Sequence, residues 1–257
     1  MKIATYNAAS VRARMPRLLE WIDENEPDIL CIQETKVEDD KFPRDEFEQR
    51  GYHLALHGQK AWNGVAIVSV EPPEDVVSGF MDDLFPTDAR IISASIAGLR
   101  VINTYVPNGN SVGSDKWTYK MRWLDRFAHL LRERHTPDEP LVWLGDINIA
   151  PKPIDVFDSA KVLGGVGHHP DEFVRLDRIL EFGLTDAFRH LHPDAKEFSY
   201  WDFVQPRAVA RGIGWRIDHI YLTEPLVGCL SSCRIDLEAR QREKPSDHTF
   251  VIAELDW

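Results

Sequence analysis

The sequence predicts an α/β sandwich in which two β-sheets pack face to face and helices lie outside them. Three observations support this fold class. Short apolar runs typical of strands recur along the chain, segments with helical spacing separate some of them, and no repeat, low-complexity tract or linker interrupts the series. A hydrophobic content of 43% in 257 residues is ample for a packed core. Because candidate functional residues come from both ends of the chain, we expect a single domain over residues 1–257.

The first elements form a strand–helix–strand unit. Residues 2–7 alternate in polarity as a strand does, residues 16–24 repeat apolar side chains at helical spacing, and residues 28–33 are a short apolar run. Such a unit places two parallel strands side by side. Further strands are predicted at residues 54–56, 65–70, 91–96 and 100–105.

The second half of the chain continues with both element types. The longest helical pattern covers residues 115–133, and a short strand covers residues 141–144. Residues 149–171 are rich in Pro and Gly and predict a long surface loop, and residues 172–182 predict another helix. Strands follow at residues 216–222, 228–236 and 249–255. The prediction totals about ten strands and about three or four helices.

The acidic balance of the chain bears on its partners. A net charge of −12 does not favour nucleic acid by bulk attraction. A local rim of Arg and Lys, or a bound cation, can invert the field at a cleft. DNA and RNA therefore remain candidate substrates.

Cysteine usage and the N-terminus bear on the compartment. Cys31, Cys229 and Cys233 make no disulfide framework, and Cys31 lies in an apolar run where a buried thiol is expected. The chain starts with a strand-like run, not with a basic stretch that leads into an apolar segment. No apolar window reaches the roughly 18–20 residues that a membrane span needs. We expect a soluble cytoplasmic protein with no membrane partner.

Four polar clusters stand at the end of, or just after, strand-like runs. They are Gln33-Glu34, Gly145-Asp146-Ile147-Asn148, Arg216-Ile217-Asp218-His219 and Ser246-Asp247-His248. They supply carboxylates, amides and imidazoles. A sheet protein that brings such strand ends together makes a site for a hard divalent cation and an attacking water. The clusters therefore predict metal-dependent hydrolysis of phosphoesters.

Two of the clusters contain candidate ligands and a candidate base. Asp146 and Asn148 are alternate residues, and alternate side chains of an extended segment point the same way. Together they could orient a water and stabilise charge on a phosphate oxygen, although a Gly-Asp turn capped by Asn148 is an alternative. Glu34 ends a buried strand, either as a Mg²⁺ ligand or as an ordinary solvated terminus. Asn7 ends the neighbouring strand and should lie near Glu34.

Asp218 and His248 are the best candidate pair. An Asp bonded to one imidazole nitrogen fixes the tautomer and favours the charged ring, and the second nitrogen could then meet a phosphate oxygen. Two unrelated surface groups are the alternative. Asp247 is a further carboxylate beside the pair. Five other histidines are expected to be ordinary loop or surface residues: His168, His169, His190, His192 and His219.

Aromatic side chains suggest how a substrate could be held. A group of them lies close to two arginines, Arg207 and Arg211. The group consists of Tyr200, Trp201, Phe203 and Trp215. Exposed aromatics beside Arg suit stacking on a base or a deoxyribose, and core packing is the alternative. Tyr105 ends a strand and is either a half-buried strand residue or a phenol that reaches the phosphate.

Strings of residues in a fixed order resemble the exonuclease III/AP endonuclease family, within the endonuclease–exonuclease–phosphatase fold. They are Thr5-Tyr6-Asn7, Leu30-Cys31-Ile32-Gln33-Glu34-Thr35-Lys36, Asn63-Gly64-Val65-Ala66-Ile67, Asn103-Thr104-Tyr105-Val106-Pro107, Gly145-Asp146-Ile147-Asn148-Ile149-Ala150-Pro151, Gly214-Trp215-Arg216-Ile217-Asp218 and Lys244-Pro245-Ser246-Asp247-His248. The strings cover nearly the whole chain. The resemblance implies a four-layered sandwich of two sheets flanked by helices. It also implies Mg²⁺- or Mn²⁺-dependent cleavage of DNA 5′ to abasic sites, with 3′→5′ exonuclease and 3′-phosphatase activity, as in base excision repair.

The resemblance also implies roles for the polar residues around the cation. Asn7 and Glu34 would hold the metal, and Asp247 is a candidate at a second position. Asp146 would be the base that activates water, and Asn148 would help to orient that water. Asp146, Asn148 and His248 are included among the residues expected around the metal.

The remaining implied roles concern the substrate. Tyr105 and His248 would contact the phosphate, and Asp218 would orient His248. The residues expected to bind the rest of the substrate are Asn108, Tyr200, Trp201, Trp215 and Arg216, and three of these, Tyr200, Trp201 and Trp215, match a pocket for a flipped-out abasic sugar. Such a nucleotide lacks stacking and pairing energy, so its extrusion is cheap. The implied partner is double-stranded DNA with abasic or 3′-blocked ends, bound by a monomer.

The sequence departs from the family pattern at two places. The family usually has a second Asn or Asp two residues after the position of Asn7, and here that residue is Ala9. If the side chain at position 9 points the same way as that of Asn7, the first strand lacks a metal or water ligand that the family usually has there. The loop after Asn108 lacks an Arg that some members insert into DNA, which leaves the balance between exonuclease and endonuclease activity open.

Two other functions remain as alternatives from the sequence. The first is a phosphodiesterase of the same superfamily that acts on inositol phosphates, sphingomyelin or RNA, because it would use the same Asp146 and His248. The second is a non-catalytic nucleic-acid-binding regulator on the same fold. Ala9 supports the regulator, whereas the retained Glu34 and Asp218 argue against it.

Overall fold

The computed structural model describes residues 1–82, 88–205 and 207–257. Within these ranges the strands are β1 Lys2–Asn7, β2 Ile29–Gln33, β3 His53–His57, β4 Val65–Ser69, β5 Glu74–Ser78, β6 Ile91–Ile96, β7 Leu99–Tyr105, β8 Leu141–Asp146, β9 Leu184–Asp186, β10 Asp218–Thr223, β11 Leu230–Ile235 and β12 Val251–Leu255. The helices are α1 Val11–Asn25, α2 Arg44–Glu48, α3 Asp115–Arg134, α4 Ser159–Val162, α5 Pro170–Leu180, α6 Ala187–Leu191, α7 Glu224–Val227 and α8 Leu237–Gln241, with 3₁₀ turns at Asp39–Lys41 and Pro153–Asp155. None of the helices in these ranges is long and apolar enough to cross a membrane.

The strands form two six-stranded sheets of mixed direction. The first has the order β11-β12-β1-β2-β4-β3 and the second has the order β5-β6-β7-β8-β10-β9. One pair in each sheet is parallel, β1 with β2 and β7 with β8. The C-terminal ends of each parallel pair therefore meet at one edge of their sheet, where side chains that follow the strands lie close together.

Alternation along the strands creates three apolar layers. Ile3 and Cys31 face the second sheet and pack with Val101 and Val142, so the central layer lies between the sheets. The opposite face of the first sheet packs against α1, which contributes Trp21 to that layer. The outer face of the second sheet packs in the same way against Trp123, Phe127 and other residues of α3. The predicted sandwich of two sheets flanked by helices is confirmed.

A group of polar side chains interrupts the apolar layer between the sheets. The amide Nε2 of Gln33, on β2, donates to Oδ1 of Asn103, on β7, at 2.7 Å. Asn103 in turn donates to the carbonyls of Ile32 and Ala66 at 3.1 and 2.9 Å, and Nε2 of Gln33 also lies 2.9 Å from Oγ1 of Thr5. All these side chains are buried and bonded, which removes most of the cost of burying them. The directional contacts fix one sheet relative to the other next to the strand ends.

The structure differs from the predicted elements in several places. It has more strands and helices than predicted, because short elements such as β9 and α7 are too brief to show periodicity. Helix α1 begins at Val11, before Pro16, which lies inside the helix. Residues 149–171 are not simply a surface loop, because they contain α4 and a 3₁₀ turn and bury Ala150 and Val156 against Ile217. Pro and Gly content indicated turns there correctly but does not report burial.

Candidate active site

The ends of β1, β2 and β8 meet at one edge of the sandwich. Nδ2 of Asn7 donates to Oε1 of Glu34 at 3.0 Å and to Oδ2 of Asp146 at 2.8 Å. Asn7 and Glu34 belong to the first sheet and Asp146 to the second, so the cluster spans both sheets. The predicted proximity of Asn7 and Glu34 is confirmed.

Asp146 ends β8 and is held by the turn that follows it. The backbone N–H of Asn148 donates to Oδ1 of Asp146 at 3.0 Å. Asn148 has φ +54°, in the left-handed region, so residues 146–148 are not an extended segment. The expectation that both side chains share one face of a strand is therefore wrong. Asn148 reaches the cluster through its backbone, while its side chain accepts from Nδ2 of Asn108 at 3.0 Å and donates to the carbonyl of Val106 at 3.0 Å.

The predicted Asp218–His248 contact is present. Strand β10 runs antiparallel to β8 and places Asp218 opposite Asp146. Nδ1 of His248 lies 2.8 Å from Oδ2 of Asp218, and Nε2 of the same ring lies 3.8 Å from Oδ2 of Asp146. The imidazole therefore lies between two carboxylates.

Burial and the nearest opposite charges act in opposite directions on the pKa values of Asp146 and His248. Burial raises the pKa of Asp146 to about 7, although the charge of His248 opposes the shift. Burial alone would lower the pKa of His248, but Asp218 and Asp146 raise it to about 10. Near neutral pH the imidazole is therefore protonated, and Asp146 is close to its midpoint.

Glu34 and Tyr105 form the opposite wall of the cluster. Burial opposes ionisation of Glu34, but bonds from Lys36, at 2.7 Å, and Asn7 hold its pKa below the ordinary value. Burial together with the charges of Glu34 and Asp146 raises the pKa of Tyr105 well above its ordinary value. The guanidinium of Arg90 stacks 4.6 Å from the centre of the Tyr105 ring. Glu34 is thus ionised, and Tyr105 keeps its phenolic proton.

The side chains at this edge include a donor set that fits a divalent cation. Potential ligand atoms of Asp146, Asp218 and His248 lie within 4.8 Å of one another, but the protonated His248 ring is bonded to Asp218 and has no lone pair to offer. Glu34, Asp146 and Asp247 line one cavity at this edge. Several carboxylates around one cavity offer the hard oxygen ligands that such cations prefer. The chemistry of the residues therefore fits a cation, and a bound cation would also relieve the repulsion between the carboxylates.

A cavity of about 660 Å³ opens beside the cluster. Its apolar wall comes from Tyr200, Trp215, Phe157, Ile213 and Ile217. The Tyr200 ring lies 4.8 Å from the His248 ring, so the aromatic wall begins at the carboxylate–imidazole cluster. Asn108, which the sequence predicted as a substrate contact, also lines the cavity. Phe157 and Ile213 were missed because they fall in segments without strand or helix periodicity.

Two residues expected to bind substrate do not line this cavity. Trp201 is only 3% exposed and packs with Phe198 and Ala208, in a small cluster behind the wall. Arg216 is 1% exposed and is fully engaged in ion pairs. Neither side chain reaches the site. Each residue follows a residue of the cavity wall in the sequence, but its side chain points into the core.

The Arg216 ion pairs belong to a buried network under the cavity. Nε of Arg216 bonds Oδ1 of Asp155 at 2.8 Å, and Nη2 bonds Oδ2 of Asp186 at 2.8 Å. Arg189 shares Asp155 at 2.6 Å. His219, expected at the surface, is 1% exposed and lies 3.0 Å from Arg216. His168, expected to be a loop or surface residue, lies in the loop between α4 and α5, but its side chain is buried and contacts the Ala150 carbonyl.

Ala9 does not continue the first strand. β1 ends at Asn7, and Ala9 has φ +47°, so the side chain of Ala9 does not follow the alternation of the strand. Its backbone N–H donates to Oδ1 of Asn7 at 2.9 Å. The amide oxygen of Asn7 is thus engaged locally, and its nitrogen faces Glu34 and Asp146.

The fold and the site define a hydrolase of phosphoesters, and comparison with known proteins identifies the family. The model of the Endonuclease/Exonuclease/phosphatase family matches residues 4–248, and the chain belongs to this family. Exodeoxyribonuclease III of Haemophilus influenzae is 34% identical over 267 aligned positions, which cover 99% of this chain and 100% of that protein.

Solved structures agree with this assignment. An AP endonuclease from Archaeoglobus fulgidus matches with a TM-score of 0.97 and 43% identity over 100% of both chains. A 3′ phosphatase from Neisseria, bound to a product DNA hairpin, matches with a TM-score of 0.96 and 38% identity, again over 100% of both chains. The resemblance to the exonuclease III/AP endonuclease family inferred from the sequence motifs is confirmed.

Proposed function

We propose that this chain is a DNA-repair nuclease that hydrolyses the phosphodiester 5′ to an abasic site and also acts as a 3′→5′ exonuclease and a 3′-phosphatase. The observation that supports this most is the aromatic cavity that opens directly onto the carboxylate–imidazole cluster, with Tyr200 against His248. The similarity to an exodeoxyribonuclease, an AP endonuclease and a DNA-bound 3′ phosphatase supports DNA as the substrate. In this proposal the chain acts as one domain and as a monomer on double-stranded DNA with abasic or 3′-blocked ends.

The cavity suits a deoxyribose that has lost its base. Tyr200, Trp215 and Phe157 offer flat apolar surfaces against which a sugar ring can pack. An abasic nucleotide has no base to unstack or unpair, so it swings out of the duplex at less cost than an intact one. Selectivity then comes from the lower cost of extrusion together with the aromatic walls.

Asp146 is the base in this proposal. With a pKa of about 7 it can take a proton from water near neutral pH. The N–H groups of Asn7 and Asn148 hold its two oxygens in place at 2.8 and 3.0 Å. Tyr105 is a poor base because its pKa is raised, so its phenol donates a hydrogen bond to the phosphate instead.

His248 stabilises the charge that develops on the phosphate. Its Nδ1–H is bonded to Asp218, and the protonated ring presents Nε2–H to a phosphate oxygen. A positive donor fixed in a buried site needs little reorganisation when charge develops, which is why such groups lower reaction barriers.

We place the cation, Mg²⁺ or Mn²⁺, at Glu34 with Asn7 and the near edge of Asp146, with Asp247 at a second position. His248 is a weaker candidate ligand because its Nδ1 is bonded to Asp218 and a protonated imidazole has no lone pair to offer. Bound there, the cation would polarise the phosphate and lower the pKa of a water. Nδ2 of Asn7 donates to both Glu34 and Asp146, so Asn7 would hold these two carboxylates in place beside the cation.

The proposal is tested with a labelled duplex that carries one abasic-site analogue, incubated with Mg²⁺, with Mn²⁺ or with EDTA. We expect incision 5′ to the lesion in the presence of either metal and none in EDTA. An undamaged duplex and a soluble phosphodiester serve as competing substrates. The Asp146→Asn variant is the matched control, because it should bind the abasic duplex but incise it at least 100-fold more slowly.

Two results would contradict the proposal. Faster hydrolysis of the soluble diester than of the abasic duplex would indicate that DNA is not the substrate. Binding of the duplex without incision in either metal would favour the non-catalytic regulator. In that case Ala9→Asn should be measured too, since Asn tolerates the left-handed backbone of this position and would restore the missing amide.

A further inference from the structure

A buried ion pair lies under the asparagines of the site, and the chemistry proposed above does not use it. Lys120, on α3, and Glu172, on α5, are both 0% exposed, and Nζ of the lysine bonds Oε1 of the glutamate. Removing two charges from water is costly unless each finds partners. The partners of this pair are therefore informative.

Lys120 bonds the backbone of both turns that follow the parallel strands of the second sheet. Its Nζ donates to the carbonyl of Asn148 at 2.8 Å and to the carbonyl of Asn108 at 3.2 Å. With Glu172 as the third acceptor, the ammonium group uses all three of its hydrogens. The side chains of the two asparagines are themselves joined at 3.0 Å. One buried cation thus holds together the loops after β7 and β8.

Glu172 extends the same group of contacts to the wall of the cavity. Its Oε1 accepts from the N–H of Gly167 at 3.0 Å, and its Oε2 accepts from the N–H of His169 at 3.1 Å. Gly167 lines the cavity beside Trp215. The ion pair therefore contacts the turn at Asn148 on one side and the cavity wall at Gly167 on the other.

The Lys120–Glu172 pair holds the backbone of Asn148 most directly, through the bond from Lys120 to its carbonyl. The backbone of Asn148 lies in the left-handed region, which Asn adopts more readily than most residues with a side chain. Its N–H bonds Asp146 and its carbonyl bonds Lys120, so the residue is held from both ends. A shift of this turn would move the N–H that fixes Oδ1 of Asp146.

We propose that Lys120 and Glu172 are positioning residues for the reaction: together they hold the backbone of Asn148, and through it the carboxylate of Asp146, in the reactive geometry. The inference rests on the proposed function, because the reaction being positioned is phosphodiester hydrolysis. Sequence spacing offers one signal for the pair. Lys120 falls on the buried face of α3, three residues after Trp117 and four before Leu124, where a charge is expected only if it has a partner.

The test uses the double variant Lys120→Met/Glu172→Gln, which removes both charges together and leaves no unpaired ion in the core. We expect a parent-like circular dichroism spectrum, a kcat on the abasic duplex that falls roughly 10- to 100-fold, and a KM within about threefold of the parent value. The matched control is Ile179→Ala, which loosens the packing of α5 against α3 without touching a polar contact of the site. Its kcat should stay at the parent level at a temperature where it is folded.

A second variant provides a rescue. Lys120→Gln/Glu172→Gln keeps an N–H donor for the Asn148 carbonyl and should recover part of the kcat lost in the Met variant. A kcat within about twofold of the parent in the Met variant, an equal kcat in both double variants, or an equal loss in Ile179→Ala would overturn the inference. A parent chain that hydrolyses no phosphodiester would instead contradict the proposed function, so the two failures are distinguishable.

Discussion

Nδ1 of His248 lies 2.8 Å from Oδ2 of Asp218, and both side chains are buried. Asp218 is itself fixed, because its backbone N–H donates to Oγ of Ser199 at 3.0 Å. The carboxylate therefore determines the tautomer of the imidazole and the direction of Nε2. The orientation of His248 depends on a residue that need not touch the substrate.

The Asp218→Asn variant tests this dependence. An amide can hold the ring in the wrong tautomer and no longer favours its charge, so kcat should fall by about 10²- to 10⁴-fold with little change in KM. An NMR titration should show the pKa of His248 well below the value of about 10 in the parent. A variant with parent-like kcat and an unchanged histidine titration would remove Asp218 from the mechanism.

The pH dependence of activity should report Asp146. Its pKa is raised from 3.8 to about 7, so the carboxyl is protonated below that pH and ionised above it. A protonated carboxyl cannot accept a proton from water, and kcat/KM should therefore fall as the pH is lowered through 7. A cation competes with the proton for the same oxygens, so saturating Mg²⁺ should move this midpoint to lower pH than limiting Mg²⁺. A midpoint that does not depend on Mg²⁺ would contradict a cation beside Asp146.

Arg216→Met should affect stability and leave substrate contacts intact. The substitution leaves the buried Asp155 and the half-buried Asp186 with fewer partners, which should lower the free energy of unfolding by about 3–5 kcal/mol. Urea denaturation followed by circular dichroism measures the loss. If Arg216 contacted DNA, the variant would instead keep its stability and bind the duplex more weakly.

Gly145→Ala should disturb the site through the backbone. Gly145 has φ +139°, and a Cβ atom there would lie 1.9 Å from the carbonyl oxygen of Thr104 on β7. The two strands must separate, so we expect a loss of at least about 2 kcal/mol in unfolding free energy together with lower kcat, because Asp146 is the next residue. Ala at Gly98, where a Cβ would meet nothing within 4 Å although φ is +80°, is the control for backbone strain alone.

The sequence predicts the parts of the site that lie at strand ends. Asn7 and Asp146 end their strands and Glu34 follows β2, as predicted, and the parallel β1–β2 pair brings Asn7 and Glu34 to one edge. The prediction that the Asp218 and His248 clusters also end or follow strands was wrong, because Asp218 begins β10 and His248 precedes β12. The contact between Asp218 and His248 was predicted because a carboxylate bonded to one imidazole nitrogen fixes the tautomer of the ring.

Burial of charged and aromatic residues between elements was much harder to predict. Arg216 and Trp201 have the composition of a binding surface, yet both lie inside the protein because their partners, such as Asp155 and Phe198, come from segments with no periodic pattern. Lys120 was missed for a related reason, and the turn at Asn148 was given only as the alternative to an extended segment. A pairing between distant segments leaves no local signal, whereas a strand or helix does.

The amide contact between Gln33 and Asn103 has a consequence for protein engineering. Half of the active site belongs to each sheet, and aliphatic side chains between the sheets attract one another without regard to small lateral offsets. The 2.7 Å contact has a direction and a fixed length, so it tolerates no such offset. Substitutions in the aliphatic layer that are meant to raise heat resistance should therefore leave these two amides in place.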